Sequence, residues 1–526
     1  MLESDEEYQD LATLVRAKAR KNEGRVAARF GGSSLTYRDL DRLSDRAATG
    51  FQLEGIGEGD RVASLVSNRA EFPVVLFALA KLGAILVPLN TALRGELLQY
   101  ELQDSGAKGL VLEDQCREAF LAVRSSLPAL RLWTLPGQNP SSIPGSESFS
   151  RLLEHDGPLP AHTPAPWASA EILYTSGTTG RPKGVVLPHR RMVNTPREVG
   201  LRAQLTSESV LYTALPLFHC NAQEKTLLVA MLNDLTATLD DRFHASAFWE
   251  NAGRFGATHV ALLTSMISVL FKQPPKPSDR THGVRFATAS GTPSDIWNDF
   301  EERFAIQLIE SYGMTECGCT TIMNPPGAHR QGSVGTPLGF VEARIVNDAD
   351  QPVPPGTVGE LVVRPREPFT MFLEYHQKPD KTVESWRNLW FHTGDLMKVD
   401  SDGYYYFRDR KKDIIRRRGE NIAPYDVETV LNQHPSVFES VVVGVPSELG
   451  EEEVKAFVQL KEGRTVSAEE LFRFAGDRLP AFMVPRYFEF VPEIPKTVNQ
   501  KAQRYLLRGR LTGNEVDRVR PSRSDP

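Results

Sequence analysis

Residues 174–184, YTSGTTGRPKG, have the composition of a phosphate-binding loop. Backbone N–H groups of a glycine-rich turn can converge on an anion, and hydroxyl side chains supply further donors to phosphate oxygens. Lys183 adds a positive charge. The segment differs from the common nucleotide P-loop, which requires lysine directly after glycine, because Arg181 and Pro182 intervene here. Taken alone, this composition is equally compatible with a flexible hairpin tip at the surface.

Four segments further along the chain concentrate side chains that bind anions, metal ions or hydroxyl groups. They are IESYGMTECG at 309–318, FHTGDL at 391–396, FRDRKKDIIRRRGENIAPYDVE at 407–428 and IPKTVNQKAQR at 494–504. Together with the glycine-rich loop, in this order and at these separations, they resemble the adenylate-forming superfamily. That superfamily comprises acyl-CoA synthetases, carrier-loading adenylation domains and firefly-type luciferases. The resemblance extends over nearly the whole chain, from LTYRDLD near the N-terminus to residue 504.

Two further segments resemble one subgroup of the superfamily. PLFHCNAQ at 216–223 and FKQPPKPSDRTHGVR at 271–285 look most like bacterial crotonobetaine/carnitine-CoA ligases. The resemblance implies a reaction in two steps: a carboxylic acid and ATP give acyl-AMP and pyrophosphate, and a thiol then gives a thioester. It therefore implies ATP, Mg²⁺ and coenzyme A. Because a carboxylate must approach a polyanion, the protein has to position the reactants and neutralise charge.

The resemblance places the phosphates and the metal ion at two of the motifs. The β- and γ-phosphates would be held by Thr175, Ser176, Gly177, Thr178, Thr179 and Lys183. Thr315 would donate to the α-phosphate, and Glu316 would ligate Mg²⁺, a hard cation suited to carboxylate and phosphate oxygens. An isolated glutamate would be a solvated surface acid, but its place in YGMTE favours the metal role.

The nucleoside would lie against three other segments. The resemblance implies that the residues around the adenine are Ser290, Gly291, Tyr312, Gly313 and Met314. This chain has ASGTPSD where the family has an SGGAP-type turn, so its turn is shorter by about two residues. The two carboxylate oxygens of Asp395 match vicinal ribose hydroxyls, with Arg410 as the other ribose-side contact.

His219 follows Phe218 in LPLFH. A lone histidine near apolar residues is more often a core residue, but in this superfamily the position lines the site near the acyl carboxylate. The sequence offers His219 no acid–base partner, so site lining is expected rather than proton transfer.

The run 408–418 contains seven basic residues in eleven, a density also found in nucleic-acid patches and targeting signals. The net charge of −6 and the interleaved acidic and isoleucine residues favour a short strand or turn between domains instead. The resemblance makes Lys412 the hinge of a rotating C-terminal domain. Gly419, Glu420 and Asn421 would line the pantetheine tunnel.

Lys501 is implied as the lysine that bridges the substrate carboxylate and the α-phosphate during adenylation. The family places glycine before it, whereas this chain has Gln500. A glutamine reaches some of glycine's backbone angles only with strain. One alternative is therefore an enzyme that performs mainly the thioester step on a preformed acyl-adenylate. Loading of a carrier protein's phosphopantetheine thiol is another, and a non-catalytic nucleotide-binding protein is a third, weaker one.

These residues require an α/β scaffold. Helical and β-rich segments alternate over the first 130 residues, in 170–330 and again after 409, with β-rich segments between, which predicts parallel sheets with crossover helices. We expect a large N-terminal α/β domain at 1–409, built from two parallel-sheet subdomains and a small β-subdomain. A smaller mobile α+β domain at 410–511 would follow, with a disordered tail at 512–526.

Composition excludes several classes. The 526 residues are 40% hydrophobic with 61 basic and 67 acidic side chains, an ordinary globular balance without a surface built for nucleic acid. Four scattered cysteines do not make a disulfide scaffold, the acidic N-terminus lacks a signal pattern, and no apolar run is long enough for a membrane span. We expect a soluble cytoplasmic enzyme.

The resemblance implies that the substrate is a small-molecule carboxylic acid. Its pocket is expected around 219–222, 263–266, 287–289 and 313–314, where no lysine or arginine is reserved for a second carboxylate. This composition favours a hydrophobic or bulky acid over a diacid. It also lacks the aromatic cage that would hold a quaternary ammonium.

Overall fold

The computed structural model describes residues 8–135, 143–155, 162–175, 181–203, 205–293, 296–411, 413–417, 420–447, 452–496, 502–509 and 511–518. The chain divides into two compact units. The first contains Met1–Thr292, Asp299–Ala343 and Val363–Phe391, and the second contains Pro293–Asn298, Arg344–Val362 and His392–Pro526.

Helices and strands alternate along the first part of the chain. They are α1 Leu11–Asn22, β1 Val26–Phe30, β2 Ser33–Thr36, α2 Tyr37–Leu53, β3 Arg61–Leu65, α3 Glu71–Leu82, β4 Ile85–Pro88, α4 Gly95–Ser105, β5 Gly109–Leu112, α5 Arg117–Val123, β6 Arg131–Thr134, β7 Ser146–Ser148, α6 Phe149–Leu152, β8 Ser169–Thr175, β9 Lys183–Pro188 and α7 His189–Arg202.

The alternation continues through the middle of the chain. The elements are β10 Val210–Thr213, α8 Cys220–Ala222, α9 Val229–Leu232, β11 Thr236–Leu239, α10 Phe248–Arg254, β12 His259–Leu263, α11 Thr264–Lys272, β13 Phe286–Ser290, α12 Trp297–Phe304, β14 Gln307–Met314, β15 Gly318–Met323 and β16 Thr336–Pro337. A π-helical segment, Gln223–Leu228, joins α8 to α9.

Strands dominate the remainder. The elements are β17 Val341–Val346, β18 Gly359–Pro365, β19 Glu374–Tyr375, α13 Pro379–Ser385, β20 Trp386–Arg387, β21 Trp390–Val399, β22 Tyr405–Arg410, β23 Ile415–Arg417, β24 Glu420–Ile422, α14 Pro424–Asn432, β25 Val437–Pro446, β26 Glu452–Leu460, α15 Ala468–Gly476, β27 Tyr487–Phe490, α16 Arg504–Leu507 and β28 Val516–Asp517.

Local chemistry explains where α2 and α3 begin and end. Thr36 caps α2 by accepting from the Asp39 N–H at 3.0 Å, while the Asp39 side chain accepts from the Thr36 N–H. Gly83 ends α3 in the left-handed region at φ 69°. The alternation of helical and β-rich segments predicted for the first 130 residues includes α2, β3, β4 and β5.

Two large sheets carry the first unit. Among the described residues, one sheet has the strand order β16-β15-β14-β13-β12-β10-β11-β1-β2, and the other has β19-β9-β8-β4-β3-β5-β6-β7. Six adjacent strands in each sheet are parallel, and antiparallel strands complete the edges. The predicted α/β class with two parallel sheets is confirmed.

The sequence pattern predicts that each sheet is built from one continuous part of the chain. Instead, each sheet takes strands from two separate parts. Strand β1 pairs with β11 and β2 pairs with β1, while β8 and β9 belong to the sheet of β3–β6. Periodicity cannot reveal this exchange, because it reports which face of a strand is buried and not which strand lies beside it.

The second unit contains a smaller α+β fold. A four-stranded sheet has the order β25-β26-β27-β28, and β23 pairs with β24. Helices α14 and α15 share its core, which includes Val427, Leu471 and Phe488. A further sheet has the order β17-β18-β21-β20, with β22 paired to β21.

The C-terminal tail differs from the disorder that its polar composition predicts. Val516 and Asp517 form β28 against β27, and Asp517 pairs with Arg486 at 3.2 Å. Residues 512–518 are ordered because Val516 packs on the core and Asp517 pairs with Arg486. Residues 519–526 lie outside the described part of the chain.

Among the described residues no helix is long and apolar enough to cross a membrane. The four cysteines are free thiols.

Candidate functional site

The phosphate-loop lysine and the predicted metal-binding glutamate meet around one tyrosine. Thr175 and Lys183 are register partners at the ends of the antiparallel strands β8 and β9. The Lys183 ammonium lies 4.1 Å from the centroid of the Tyr375 ring. The Tyr375 hydroxyl donates to Glu316 Oε1 at 2.8 Å. The structure therefore brings Lys183 and Glu316 together.

Charge and burial compete at Lys183. Burial lowers the pKa of its ammonium, while the nearby Glu316 carboxylate raises it, and burial prevails. A bound polyanion would reverse this balance, because a second negative group favours the charged form. The arrangement suits a site that takes up phosphate.

A buried ion pair holds the segment that contains Thr315. Arg191 on α7 bonds Glu224 at 2.6 Å, and neither side chain has any solvent exposure. Arg191 also donates to the Thr315 carbonyl at 2.9 Å, and Glu224 accepts from the Cys319 N–H at 3.3 Å. The pair thus fixes both ends of the turn between β14 and β15, where Thr315 and Glu316 lie.

The predicted adenine-side turn is held by a buried carboxylate. Glu310 accepts from the N–H groups of Gly291 and Thr292 and from the Thr292 hydroxyl. Burial raises the pKa of Glu310, and these donors oppose the shift. Gly291 has φ +83°, and a Cβ there would lie 2.2 Å from Thr264 Oγ1. Only glycine fits this turn, next to Ser290.

Gly313 permits close packing within the hairpin of β14 and β15. A Cβ on Gly313 would lie 2.3 Å from the Cys319 carbonyl oxygen, and the strand register shifts between Tyr312 and Met314. Tyr312 is largely buried, and its hydroxyl contacts Met314 Sδ at 3.8 Å. Tyr312, Gly313 and Met314 therefore occupy one bulged hairpin, as close neighbours of Thr315.

His219 sits at the start of α8 and is partly exposed. Buried Asn68 holds the loop that precedes it by accepting from the Leu217 N–H at 2.8 Å and donating to the Leu215 carbonyl at 2.9 Å. The His219 ring packs edge-on against Phe218. Cys220, the next residue, has its Sγ 3.8 Å from Thr315 Oγ1. His219 is thus close in sequence to a residue that contacts the Thr315 side chain.

The second unit joins the two predicted ribose-side residues. Asp395 on β21 and Arg410 on β22 are register partners, and Arg410 Nε lies 2.6 Å from Asp395 Oδ1. The Thr393 hydroxyl accepts from the Asp395 N–H at 3.1 Å. The Asp395 side chain has no solvent exposure, so Arg410 covers the carboxylate in this conformation.

Two described residues of the basic run, Arg417 and Lys411, form ion pairs inside the second unit. Arg417 is buried, bonds Glu453 at 2.6 Å and donates to two backbone carbonyls. Lys411 bonds Asp348 at 2.9 Å and Glu360 at 3.1 Å. These charges stabilise strands and turns, as the sequence interpretation favours.

Several predicted residues cannot be placed. Ser176, Gly177, Thr178, Thr179, Lys412, Gly419 and Lys501 lie outside the described residues, as does Gln500. Glu420 and Asn421 have their backbone in β24, with side chains outside the description.

Sequence reasoning missed the residues that hold the motifs in place: Asn68, Arg191, Glu224, Glu310 and Tyr375. Each acts through a contact with a distant part of the chain, for example 124 positions between Arg191 and Thr315. The sequence gives no signal for Arg191 and Glu224, because α7 and the segment 223–228 contain several other polar and charged side chains.

Comparison with known proteins agrees with this geometry. The AMP-binding enzyme family matches residues 15–376, and the AMP-binding enzyme C-terminal domain matches residues 426–501. A crotonobetaine/carnitine–CoA ligase of Salmonella enteritidis PT4 (strain P125109) is 35% identical over 478 residues, 89% of this chain and 92% of that ligase.

Solved structures of ligases share the fold. An anthranilate CoA ligase in complex with anthranoyl-AMP superposes with a TM-score of 0.88 at 26% identity, covering 95% of this chain and 97% of that one. The O-succinylbenzoate coenzyme A synthetase of Bacillus subtilis, in complex with AMP, gives 0.81 at 26% identity, covering 95% and 99%. The chain therefore belongs to the AMP-binding enzyme family, within the adenylate-forming superfamily of acyl-CoA ligases that its motifs predict.

Proposed function

We propose that this protein is an AMP-forming acid–CoA ligase that converts a carboxylic acid and ATP to acyl-AMP and then to an acyl-CoA thioester. The main observation in support is that Lys183 and Glu316 both contact Tyr375 within the first unit. A cation and a carboxylate, with the cation at the end of the glycine-rich sequence 174–184, suit a metal–polyphosphate ligand. The ligase relatives, with the same domain order, support this function.

The residues of the first unit divide the work of adenylation. Lys183 neutralises the outer phosphates, and Thr315 donates its hydroxyl to the α-phosphate from a turn that Arg191 and Glu224 hold rigid. Glu316 fits Mg²⁺ because Oε1 accepts from Tyr375 while Oε2 makes no hydrogen bond among the described residues. When bound, Mg²⁺ would neutralise phosphate charge. His219 lines the acyl side.

The remaining groups lie on both sides of the division between the two domains. We assign Lys501 to bridging the substrate carboxylate and the α-phosphate, and Asp395 with Arg410 to the ribose. Gly419, Glu420 and Asn421 then serve the CoA thiol. The division at 409/410, with Lys412 as hinge, lets one domain present different residues in the two steps.

The acid has an apolar or bulky body, since the segments expected to line its pocket are small or apolar. We place the enzyme in the cytoplasm, where free thiols such as Cys220 stay reduced.

The test is ATP–pyrophosphate isotope exchange with a broad panel of acids. We expect acid-dependent exchange, lowered about 100-fold in kcat/KM by Lys183→Met or Glu316→Gln, because each removes a charge that stabilises the transition state. Lys381→Met is the matched control. Lys381 lies near Lys183 but is exposed and paired with Glu384 at 2.6 Å. Absence of exchange with every acid would refute the two-step ligase.

Gln500 favours a second candidate, an enzyme that mainly converts preformed acyl-adenylates to thioesters. Thioester formation from synthetic acyl-AMP, with little from free acid and ATP, would support it. Gln500→Gly should then restore adenylation, because glycine frees the backbone that delivers Lys501. Equal rates from both substrates would exclude this candidate.

A further inference from the structure

Lys225 is a buried lysine in the π-helical segment 223–228. Lys225 is 7% exposed. The polar residues beside it in sequence, Gln223, Glu224 and Thr226, are also buried. A π-helical turn widens the helix by one residue per hydrogen bond and often occurs at functional sites. Here it places several polar side chains in an otherwise apolar interior.

Lys225 differs from the other buried lysines of this chain. Among the described residues, Lys18 bonds Asp234 at 2.7 Å, Lys81 bonds Asp41 and Asp45 at 2.6 and 2.7 Å, and Lys455 bonds two glutamates. Lys225 instead donates to two hydroxyl oxygens, Ser290 Oγ at 3.3 Å and Ser311 Oγ at 3.0 Å. A buried ammonium is costly unless an anion compensates it.

No carboxylate of the described residues pairs with Lys225. Glu310 is near enough for the Lys225 charge to lower the pKa of its carboxyl, but Glu310 is already engaged by Gly291 and Thr292. The thiol of Cys319 also experiences the charge. Among the described residues the Lys225 ammonium therefore makes hydrogen bonds to hydroxyl groups but no ion pair, and Glu310 is the carboxylate whose charge it influences.

The adjoining sheet face beside Lys225 is formed by small residues. Ala261 and Thr288 are register partners on β12 and β13, and Thr288 and Ser290 remain partly exposed although they lie in a central sheet. Lys225, Ala261 and Thr288 border a small opening together with Tyr212, His259 and apolar side chains. These small residues leave an approach to Lys225 beneath the π-helical segment.

The same contacts tie Lys225 to the predicted nucleotide site. Ser290 directly precedes Gly291 in the adenine-side turn, and Ser311 directly precedes Tyr312. We propose that Lys225 binds a second carboxylate of the acid substrate, so that the substrate class is a dicarboxylic acid with an apolar body. This inference rests on the proposed function and names its substrate. It revises the sequence expectation, which examined 219–222 and found no cation because Lys225 lies three residues further on.

The test measures binding, so it does not depend on turnover. The probes are pairs of non-hydrolysable acyl-sulfamoyl adenosines, matched in carbon number, in which one member ends in a methyl group and the other in a carboxylate. Straight-chain and aromatic bodies of several lengths are titrated calorimetrically into the full-length protein. We expect the wild type to bind the carboxylate member about 10- to 100-fold more tightly for at least one body, the range for a charge-assisted hydrogen bond.

Lys225→Met should abolish that preference, while Lys272→Met, an equal loss of charge at an exposed site in the same unit, should keep it. A wild type that prefers the methyl member throughout, or an unchanged preference in Lys225→Met, overturns the inference alone. Failure of every adenosine probe to bind overturns the proposed function as well.

Two measurements protect the test against misfolding. Lys225→Met removes a buried charge held by neutral hydroxyls, so we expect no fall in the unfolding temperature. Lys225→Gln keeps a donor for Ser290 and Ser311, and it should lose the carboxylate preference in the same way. A preference retained in Lys225→Gln would contradict the inference.

Discussion

The buried pair of Arg191 and Glu224 should dominate the stability of the first unit's site. Arg191→Met leaves the Glu224 charge without its partner in an interior with no solvent exposure. Breaking such a pair from one side costs about 3–5 kcal/mol of unfolding free energy. It also removes the donor to the Thr315 carbonyl. We expect lower stability in urea unfolding and a lower kcat, because the Thr315 turn is less rigid.

The neighbouring arginine supplies the control. Arg190 is partly exposed and pairs with Glu367 at the surface, so Arg190→Met should change stability by less than about 1 kcal/mol. The double variant Arg191→Met/Glu224→Gln should recover much of the stability, since it leaves no lone charge. Equal effects of the two single arginine substitutions would contradict this account.

Glu171 on β8 should make stability depend on pH. Burial raises the pKa of this carboxyl from about 4.5 to about 8, and Gln223 donates to Oε1 at 2.8 Å. From about pH 5 to about pH 8 the folded state keeps the proton that the unfolded state has lost. The unfolding free energy attributable to Glu171 therefore falls by about 1.4 kcal/mol per pH unit as pH rises, and levels above about pH 8.

Glu171→Gln removes this titration and keeps the acceptor for Gln223. Urea unfolding at about pH 5 and about pH 8 should show the variant gaining on the wild type as pH rises. Parallel pH profiles would show that the Glu171 carboxyl does not carry the effect.

At the residue scale, the sequence identifies the candidate site residues that stand in motifs, but not the residues that hold those motifs in place. Lys183, Glu316, Asp395 and Arg410 stand in motifs, and the structure places Lys183 and Glu316 against Tyr375 and pairs Asp395 with Arg410. Arg191, Glu224 and Lys225 act through contacts that only the folded chain creates, 33 positions apart for the ion pair. Neither composition nor period specifies such contacts.

At the element scale, the hairpin of β14 and β15 should be intolerant of a side chain at Gly313. A Cβ there would lie 2.3 Å from the Cys319 carbonyl oxygen, so the strands must separate. We expect Gly313→Ala to cost about 1–3 kcal/mol and to lower activity sharply, since Thr315 and Glu316 follow directly. Thermal unfolding and pyrophosphate exchange measure the two effects.

Gly57→Ala is the comparison, because a Cβ at Gly57 meets nothing within 4 Å. It should leave both stability and exchange near the wild-type values. If Gly313→Ala behaved like Gly57→Ala, the close approach of the two strands would not matter for the site.

Periodicity predicted these elements where one face of the element is buried. Helix α2 buries Tyr37, Leu40 and Phe51 along one stripe and carries its own cap, so its limits follow from the residues. The π-helical segment 223–228 carries no such signal, because its polar residues are buried by neighbours distant in sequence. That is why Lys225 escaped the sequence interpretation.

At the scale of the whole molecule, the sequence pattern does not determine which distant segments pair with each other. The exchange of β1 and β2 with β8 and β9 between the two large sheets is one case. The C-terminal tail is another: its polar sequence predicts disorder, yet Glu515 bonds the buried Lys455 at 3.1 Å. A polar segment gains order when it pairs with an open sheet edge and places its charges beside charges of opposite sign.

The tail should therefore stabilise the second unit. A chain that ends at Leu511 loses β28, the Glu515 partner of Lys455 and the Asp517 partner of Arg486. Lys455 keeps Glu489 at 2.7 Å, so we expect a loss of about 2 kcal/mol rather than collapse. A chain that ends at Arg518 keeps all of these contacts and should match the full-length protein.

Because the two units have separate cores, the loss should fall on one of them. Limited proteolysis should release fragments of the second unit from the chain ending at Leu511, while the first unit keeps its resistance. Calorimetry of the two truncated chains should show a shift in only part of the unfolding transition. A uniform shift of the whole transition would mean that the tail stabilises both units, and equal behaviour of the two truncations would mean that β28 contributes nothing.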